Sequence, residues 1–279
     1  MAQFEAPTAE AIEASQVALE ANEYPGRVLI QGLSAYGNMA LQVYALMGRS
    51  EGSRNRIFVE EDTGIADNHG IRVTAPDKTP EEMAETENAA LIYYWAMEHY
   101  EDTHVVSNGA QTGHILSALM VDQRVDLLEA VQSAPTIDGV DLTLYEPDSP
   151  NNTPRISGVI NLHAKAADRF GMAIVRKEPV SSVPIYASYK MPQQYPPATL
   201  QPGVGFGIQT YNGNGSPLPS FDQAPYPVAL GEDVEDTAHA IWGLLNRDNR
   251  VALVVKGIDL APPPFGDSQP TYHIINERE

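Results

Sequence analysis

Cysteine is absent from the 279-residue chain, which removes disulfides, thiolate metal sites and a cysteine nucleophile together and suits a cytoplasmic setting. Basic side chains are scarce: 17 Lys and Arg stand against 37 Asp and Glu, for a formal charge of −20. So acidic a surface repels polyanions, and nucleic acid is not an expected partner. No apolar run approaches the roughly 18 residues of a membrane-spanning helix, so no membrane partner is expected. The acidic opening MAQFEAPTAEAIEAS has neither the basic segment nor the apolar core of a secretory signal. Histidines at 69, 99, 104, 114, 163, 239 and 273 show no ligand spacing, so no metal centre is expected. A P-loop, a Gly-x-Gly-x-x-Gly fingerprint and a Gly-x-Ser-x-Gly elbow are all missing, and Gly203, Gly205 and Gly207 alternate in the wrong register for a dinucleotide loop.

What is present reads as one large α+β domain behind a short helical extension. Residues 8–22 form an expected helix with Thr8 as N-cap and Glu10 and Glu13 in its first turns; apolar positions are few, so the layer is peripheral. Val28-Leu29-Ile30 and the alternating run Met39–Met47 predict a β-hairpin. Arg49, Arg54 and Arg56 follow within eight positions and precede a strand at Ile57-Phe58-Val59. Arginines ending one strand and opening the next can converge over one sheet edge, and their planar forks suit phosphate oxygens. A solvated basic loop is the plainer alternative. Further on come a short helix at Pro80–Glu87 and strands at Leu91–Met97 and Thr103–Asn108, then helical patterns from Ile115 to Val131. Strands at 170–176 and 183–189 precede a Pro/Gly/Asn-rich loop over 191–227. A helix (Val234–Leu245), a strand (Val251–Val255) and a Pro-rich tail close the order. Strands outnumber helices, which suggests sheets covered by helices. No internal repeat or linker divides the chain.

The stretch Tyr145–Asn161, YEPDSPNNTPRISGVIN, carries an acid, a guanidinium and amides around a rigid strand entrance. Pro154 biases Thr153 towards extended geometry, and Ile156, Gly158 and Ile160 then share one strand face. A surface hairpin with an incidental ion pair is the plainer reading. Two further stretches act together with it. Tyr24-Pro25-Gly26-Arg27, Val105-Val106-Ser107-Asn108-Gly109, and Tyr145-Glu146 followed by Asn152-Thr153-Pro154-Arg155-Ile156 and Asn161 resemble the archaeal-type IMP cyclohydrolase family in order and spacing. Arg49-Ser50 and Asn55-Arg56 also fit, with a slightly longer gap. The match spans residues 24 to about 190 and continues loosely into the last helix and strand; the extension to residue 22 and the long 191–227 loop depart from the pattern.

The resemblance implies a four-layer αββα sandwich like that of N-terminal-nucleophile hydrolases, with a boundary between residues 1–22 and a single domain over 23–279. It implies closure of 5-formamidoimidazole-4-carboxamide ribonucleotide to inosine monophosphate with loss of water, in purine biosynthesis, without a cofactor. Glu146 and Tyr94 are then the expected catalytic residues, with a one-residue shift giving Tyr93 instead. Arg27, Arg49 and Arg56 would meet the phosphate, and Asn108, Arg155 and Asn161 the base or formyl group. Glu146 is expected to stay ionised if Arg155 approaches it. A non-catalytic purine-nucleotide-binding protein and an amidohydrolase of the same fold remain the alternatives, and the sequence is compatible with a homo-oligomer.

Overall fold

The computed structural model describes residues 7–65, 68–86, 89–121, 126–165, 168–190, 200–260 and 269–278. In chain order the elements are α1 (Ala9–Ala21), β1 (Arg27–Leu33), β2 (Met39–Met47), α2 (Glu51–Arg54), β3 (Ile57–Asp62), β4 (His69–Thr74), α3 (Pro80–Ala84) and α4 (Ala89–Ile92). There follow β5 (Trp95–Tyr100), β6 (Thr103–Ser107), α5 (Gln111–Val121), α6 (Leu127–Gln132), and the small strands β7 (Thr136–Ile137) and β8 (Val140–Asp141). The remainder is β9 (Arg155–Asn161), β10 (Phe170–Lys177), β11 (Pro184–Lys190), β12 (Val204–Gln209), β13 (Tyr226–Ala229), α7 (Val234–Leu244), β14 (Arg250–Asp259) and β15 (Thr271–Asn276). No helix of the described residues is long and apolar enough to cross a membrane.

The helix starts are written in short-range chemistry. Thr8 caps α1 through its hydroxyl, which accepts from Ala11 N at 3.2 Å. Thr79 and Glu82 form a reciprocal capping box at α3, with Pro80 in the first turn, and Asp126 and Glu129 do the same at α6. Two antiparallel sheets take most of the remaining chain. One runs β13-β12-β1-β2-β14-β15, the other β11-β10-β9-β6-β5-β4-β3. The fold is therefore α+β, with mostly antiparallel sheets and few helices.

Strand alternation sorts the apolar side chains into three clusters. Leu29, Tyr44 and Leu46 of the six-stranded sheet meet Phe58, Ile71, Met97, Val106, Ile156 and Met172 of the other in one buried core. On its other face the six-stranded sheet sends Val28, Ile30, Val43 and Leu253 against Leu19 of α1 and Ala238 and Ile241 of α7. Val105, Val159 and Ala173 of the seven-stranded sheet pack on Ile115 and Leu119 of α5 and Leu127 and Val131 of α6. Each fully buried Leu, Ile or Val stabilises by roughly 1.5–3 kcal/mol, so these three clusters hold the sheets in place.

Four expectations need correction. Residues 91–97 are not one strand: Tyr93 N still bonds Ala89 O at 2.8 Å in the helical manner, and β5 begins at Trp95. The 191–227 loop, of which 191–199 lies outside the described residues, contains β12 and β13. Its strand signal is hidden because Gly205 and Gly207 have no side chains. A Cβ on them would meet Ile30 Cγ2 at 2.9 Å and the Tyr226 ring at 2.7 Å, so neighbouring side chains fill the places their own would take. The Pro-rich tail, of which 261–268 lies outside the described residues, ends in β15, paired to β14. Finally, Arg49 and Arg56 do not share one sheet edge, because β2 and β3 belong to different sheets and the arginine loop crosses between them.

Candidate active site

The site is built where β1 enters one sheet, and where β6 ends and β9 begins in the other. Gly26 makes the entrance possible. Its φ is +77°, and a Cβ there would stand 2.2 Å from Thr210 Oγ1. The Thr210 hydroxyl accepts from Arg27 N and donates to Pro25 O, each at 3.1 Å, which fixes the Tyr24–Arg27 turn. Arg27 is thereby buried, with Nε unpartnered among the described residues. Burial works against its charge, but Glu146 and the hydroxyls of Tyr94, Tyr44 and Tyr24 outweigh that and hold it firmly protonated.

Glu146 is only 2% exposed, deeper than the turn rim its sequence position suggested. Its backbone N–H donates to Thr153 O at 2.9 Å, and Asn108 Nδ2 donates to its Oε1 at 3.3 Å. Burial pushes its carboxyl up to about 7, with Arg27 and then Arg155 pulling the other way. The expectation of a firmly ionised acid is thus corrected: near neutral pH the group is poised between its two forms. Arg155 is not its ion-pair partner. Its Nε donates to Leu144 O at 2.8 Å and its Nη1 to Gln111 Oε1 at 3.1 Å, while Nη2 has no partner among the described residues.

Asn108 is a structural clamp as much as a contact. Its Nδ2 also donates to Pro154 O at 2.9 Å, and its Oδ1 accepts from Ile156 N at 2.7 Å. These bonds tie the end of β6 to the start of β9 and to Glu146. Beside them Asp148 grips Thr153 twice, accepting its N–H at 2.6 Å and its hydroxyl at 2.5 Å. Because the single Thr153 hydroxyl proton goes to the carboxylate, the Tyr211 hydroxyl bonded to the same oxygen must be the donor.

The two candidate tyrosines separate in space. Tyr94 is buried and its hydroxyl meets that of Tyr44 at 2.8 Å, close to Arg27 and Arg56, whereas Tyr93 lies half-buried beside Lys78. Arg56 is buried against the carbonyls of Ser53 (3.0 Å) and Met47 (3.2 Å); burial and then the like charge of Arg27 lower its basicity. Arg49 is exposed, 4.8 Å from the Tyr24 ring centroid, and donates to Asn214 Oδ1 at 2.8 Å. Tyr24 in turn stacks on Tyr211 with centroids 6.0 Å apart. Arg49 therefore stands exposed at the edge of the cluster and Arg56 buried within it.

Asn161 does not join this cluster. It sits at the far end of β9, roughly 20 Å from Arg155 at strand rise. There its Oδ1 accepts from His163 N and Ala164 N at 3.0 and 3.1 Å, and the residue lines a separate cavity of about 300 Å³ with Lys190 and Asp168. Conversely, sequence reasoning passed over Tyr44, Asp148, Gln111 and Tyr211. Tyr211 comes from a Pro/Gly-rich segment with no pattern to mark it. Asp148 and Thr153 carried the one usable signal, an acid five residues before a Thr-Pro strand entrance. Among the described residues no three His, Asp or Glu side chains gather as a metal cage.

A buried cluster of guanidiniums and tyrosines with one poised carboxyl has the chemistry to orient a polar anionic ligand and move a proton at it. Comparison with curated proteins finds no match. The family description "IMP cyclohydrolase-like protein" matches residues 24–261, a span that opens at Tyr24 and takes in every member of the cluster just described. The chain therefore belongs to the IMP cyclohydrolase-like family.

Proposed function

We propose that the protein closes 5-formamidoimidazole-4-carboxamide ribonucleotide to inosine monophosphate, acting as a cyclohydrolase in purine biosynthesis. The family membership supports a function of this kind, and the observation that carries the specific reading is the poised Glu146 facing Arg27 and Tyr94. We further read the two sheets and their covering helices as the four-layer αββα arrangement of N-terminal-nucleophile hydrolases. Residues 1–22 are then an appended helical segment on a single domain over 23–279.

The carboxamide nitrogen attacks the formyl carbon of the same molecule, so the C–N bond forms intramolecularly. Holding the two groups in a near-attack geometry is the main requirement, a gain that reaches about 10⁵–10⁸ M in effective molarity in model reactions. Glu146 as carboxylate accepts the carboxamide N–H proton and, as acid, returns it to the former carbonyl oxygen; a group titrating near 7 suits both halves. Charge developing on that oxygen is met by buried guanidinium donors, and Arg27 Nε and Arg155 Nη2 of the cluster have no partner among the described residues. The C–O bond then breaks, the formamido nitrogen gives up its proton, and water departs. Arg49 at the exposed edge and Arg56 within the cluster take the phosphate, and Tyr94 orients the reacting amide. The reaction proceeds in the cytoplasm, and neither nucleic acid nor a membrane takes part.

The test is direct. Pure protein incubated with the formylated ribonucleotide should form inosine monophosphate well above the spontaneous rate. Binding of the nucleotide without turnover would replace this reading with that of a nucleotide-binding protein. Turnover of other amides, with mass spectrometry showing internal cleavage, would replace it with an amidohydrolase.

A further inference from the structure

A second polar cluster lies in the same inter-sheet space, deeper than the site. Lys256 on β14 is fully buried, and its register partner on β2 is Gln42, two residues or about 7 Å from Tyr44. Facing them from the other sheet are His99 and His104, 4% and 2% exposed, with rings stacked 5.2 Å apart. Four buried atoms of this group have no hydrogen-bond partner among the described residues: Lys256 Nζ, Gln42 Oε1, His99 Nδ1 and His104 Nδ1. The Gln42 amide is not misassigned. Its nitrogen gives one hydrogen to Gln31 Oε1 at 2.9 Å and the other to His104 O at 3.3 Å, so the oxygen is the atom left over.

The charge balance of the cluster is incomplete in the same sense. No carboxylate stands within ion-pair distance of Lys256 among the described residues. Burial drives the Lys256 amine well down towards its neutral form, and the acid that opposes this is Glu98, which pairs with Val105 on the helix-facing side of the seven-stranded sheet and reaches towards Gly113 of α5. The Tyr272 ring, 5.7 Å from Nζ, offers only partial compensation. His69 and Gln269 are the other groups that act on His99, and Asn68 holds its backbone carbonyl. An isolated ammonium in such surroundings costs many kcal/mol unless a counter-charge arrives or the proton leaves. A water cluster would satisfy the hydrogen bonds but would supply no charge.

We infer that Lys256, His99, His104 and Gln42 form a buried site for one small inorganic monoanion of the halide class, held between the sheets and separate from the candidate active site. An arriving anion holds the proton on Lys256, and that single ammonium sets the charge at minus one. Either imidazole can place its N–H on Nδ1 and donate to the ion, while Gln42, the register partner of Lys256, lines the same space.

The test uses the intact chain. Thermal unfolding is followed in increasing sodium chloride or bromide against sodium gluconate at matched ionic strength, for the wild type and Lys256→Met. Expected is a saturable, halide-specific rise of ~3 °C in the wild type, absent from the variant. General salt effects on the surface would act on both proteins alike. A wild-type curve indifferent to the anion, or a variant that keeps the halide rise, overturns the inference. Should Lys256→Met fail to fold, anomalous diffraction from bromide-soaked wild-type crystals decides. A peak within hydrogen-bond reach of Lys256 Nζ supports the site, and a chamber without bromide refutes it.

Discussion

Glu146→Gln separates the burial of this acid from its chemistry. Gln keeps the Oε1 that accepts from Asn108 and the shape of the side chain, but it cannot ionise. In the wild type the folded carboxyl titrates at about 7 against an ordinary 4.5, because burial outweighs the attraction of Arg27 and Arg155. The fold therefore holds the Glu146 proton more tightly than the unfolded chain does. That contribution to stability is intact at low pH and is lost as pH rises from about 4.5 through 7. By linkage the wild type should lose ~2 kcal/mol between pH 5.5 and 8.5 through this one group. The variant should not, so it should gain about that much relative to the wild type over the same interval. Urea unfolding of both proteins at the two pH values measures the difference, and both conditions stay above the sequence pI of about 4.6. A stability difference between the two proteins that stays constant within ~0.5 kcal/mol would refute the burial argument. In the same variant kcat should fall by about 10²–10⁴ and its acid limb near pH 7 should disappear, while nucleotide affinity moves only a few-fold.

The two phosphate arginines should behave differently. Arg49→Ala, at an exposed position, should weaken nucleotide binding by about 1.5–3 kcal/mol and leave chemical denaturation unchanged. Arg56→Ala should lower both, because its guanidinium also holds the Ser53 and Met47 carbonyls; calorimetry with nucleotide and nucleoside, the latter showing a much smaller loss, checks the assignment. Gly26→Ala should destabilise the fold by roughly 1–3 kcal/mol or more from its left-handed φ alone, with the Thr210 contact adding to it, read by the urea midpoint. Thr153→Val should cost ~1–3 kcal/mol by taking the hydroxyl partner from Asp148 Oδ2 and from the Tyr211 hydroxyl, the backbone bond to Asp148 Oδ1 remaining, and Thr153→Ser should restore most of the loss. Turnover should survive exhaustive chelation; loss of activity restored by one divalent ion would contradict the metal-free reading.

What could be read from the chain was whatever chemistry sits close in sequence. Thr8 announces α1, Pro80 and Glu82 announce α3, and the alternation of Leu41, Val43 and Ala45 announces a buried strand. The Leu144–Arg155 stretch is knit locally: Glu146 N–H bonds Thr153 O, Asp148 accepts from Thr153 N–H, and Arg155 Nε reaches the carbonyl of Leu144. Partnerships across long separations were not legible. Nothing near Tyr211 says that its hydroxyl will meet Thr153, 58 positions earlier. The burial that shifts Glu146 arises from two sheets closing over it, which no local pattern encodes. Asn161 was misplaced for a related reason: motif order carries a residue along a strand, but six strand residues are about 20 Å. The glycines of β12 concealed a strand because the side chains filling that surface belong to β1 and β13.

The order of strands bears on how the molecule can be assembled. The seven-stranded sheet uses β3 to β6 and β9 to β11, an unbroken interval of the chain, whereas the six-stranded sheet joins β1 and β2 to strands that all follow β11. During synthesis the first hairpin must therefore wait, with the β2 edge unpaired, until β14 emerges some 200 residues later in the chain. The side chains of that edge are nearly all buried in the finished protein. Until then it is an apolar template open to pairing with another chain. The contiguous sheet can form first and offer Phe58, Ile71 and Met97 as a platform for the waiting hairpin. Pulse-labelled hydrogen exchange during refolding should accordingly protect β5, β6 and β9 before β2 and β14. The central strand of the second sheet would then be the last piece to lock, and the step at which a slow or crowded cell loses the protein to aggregation.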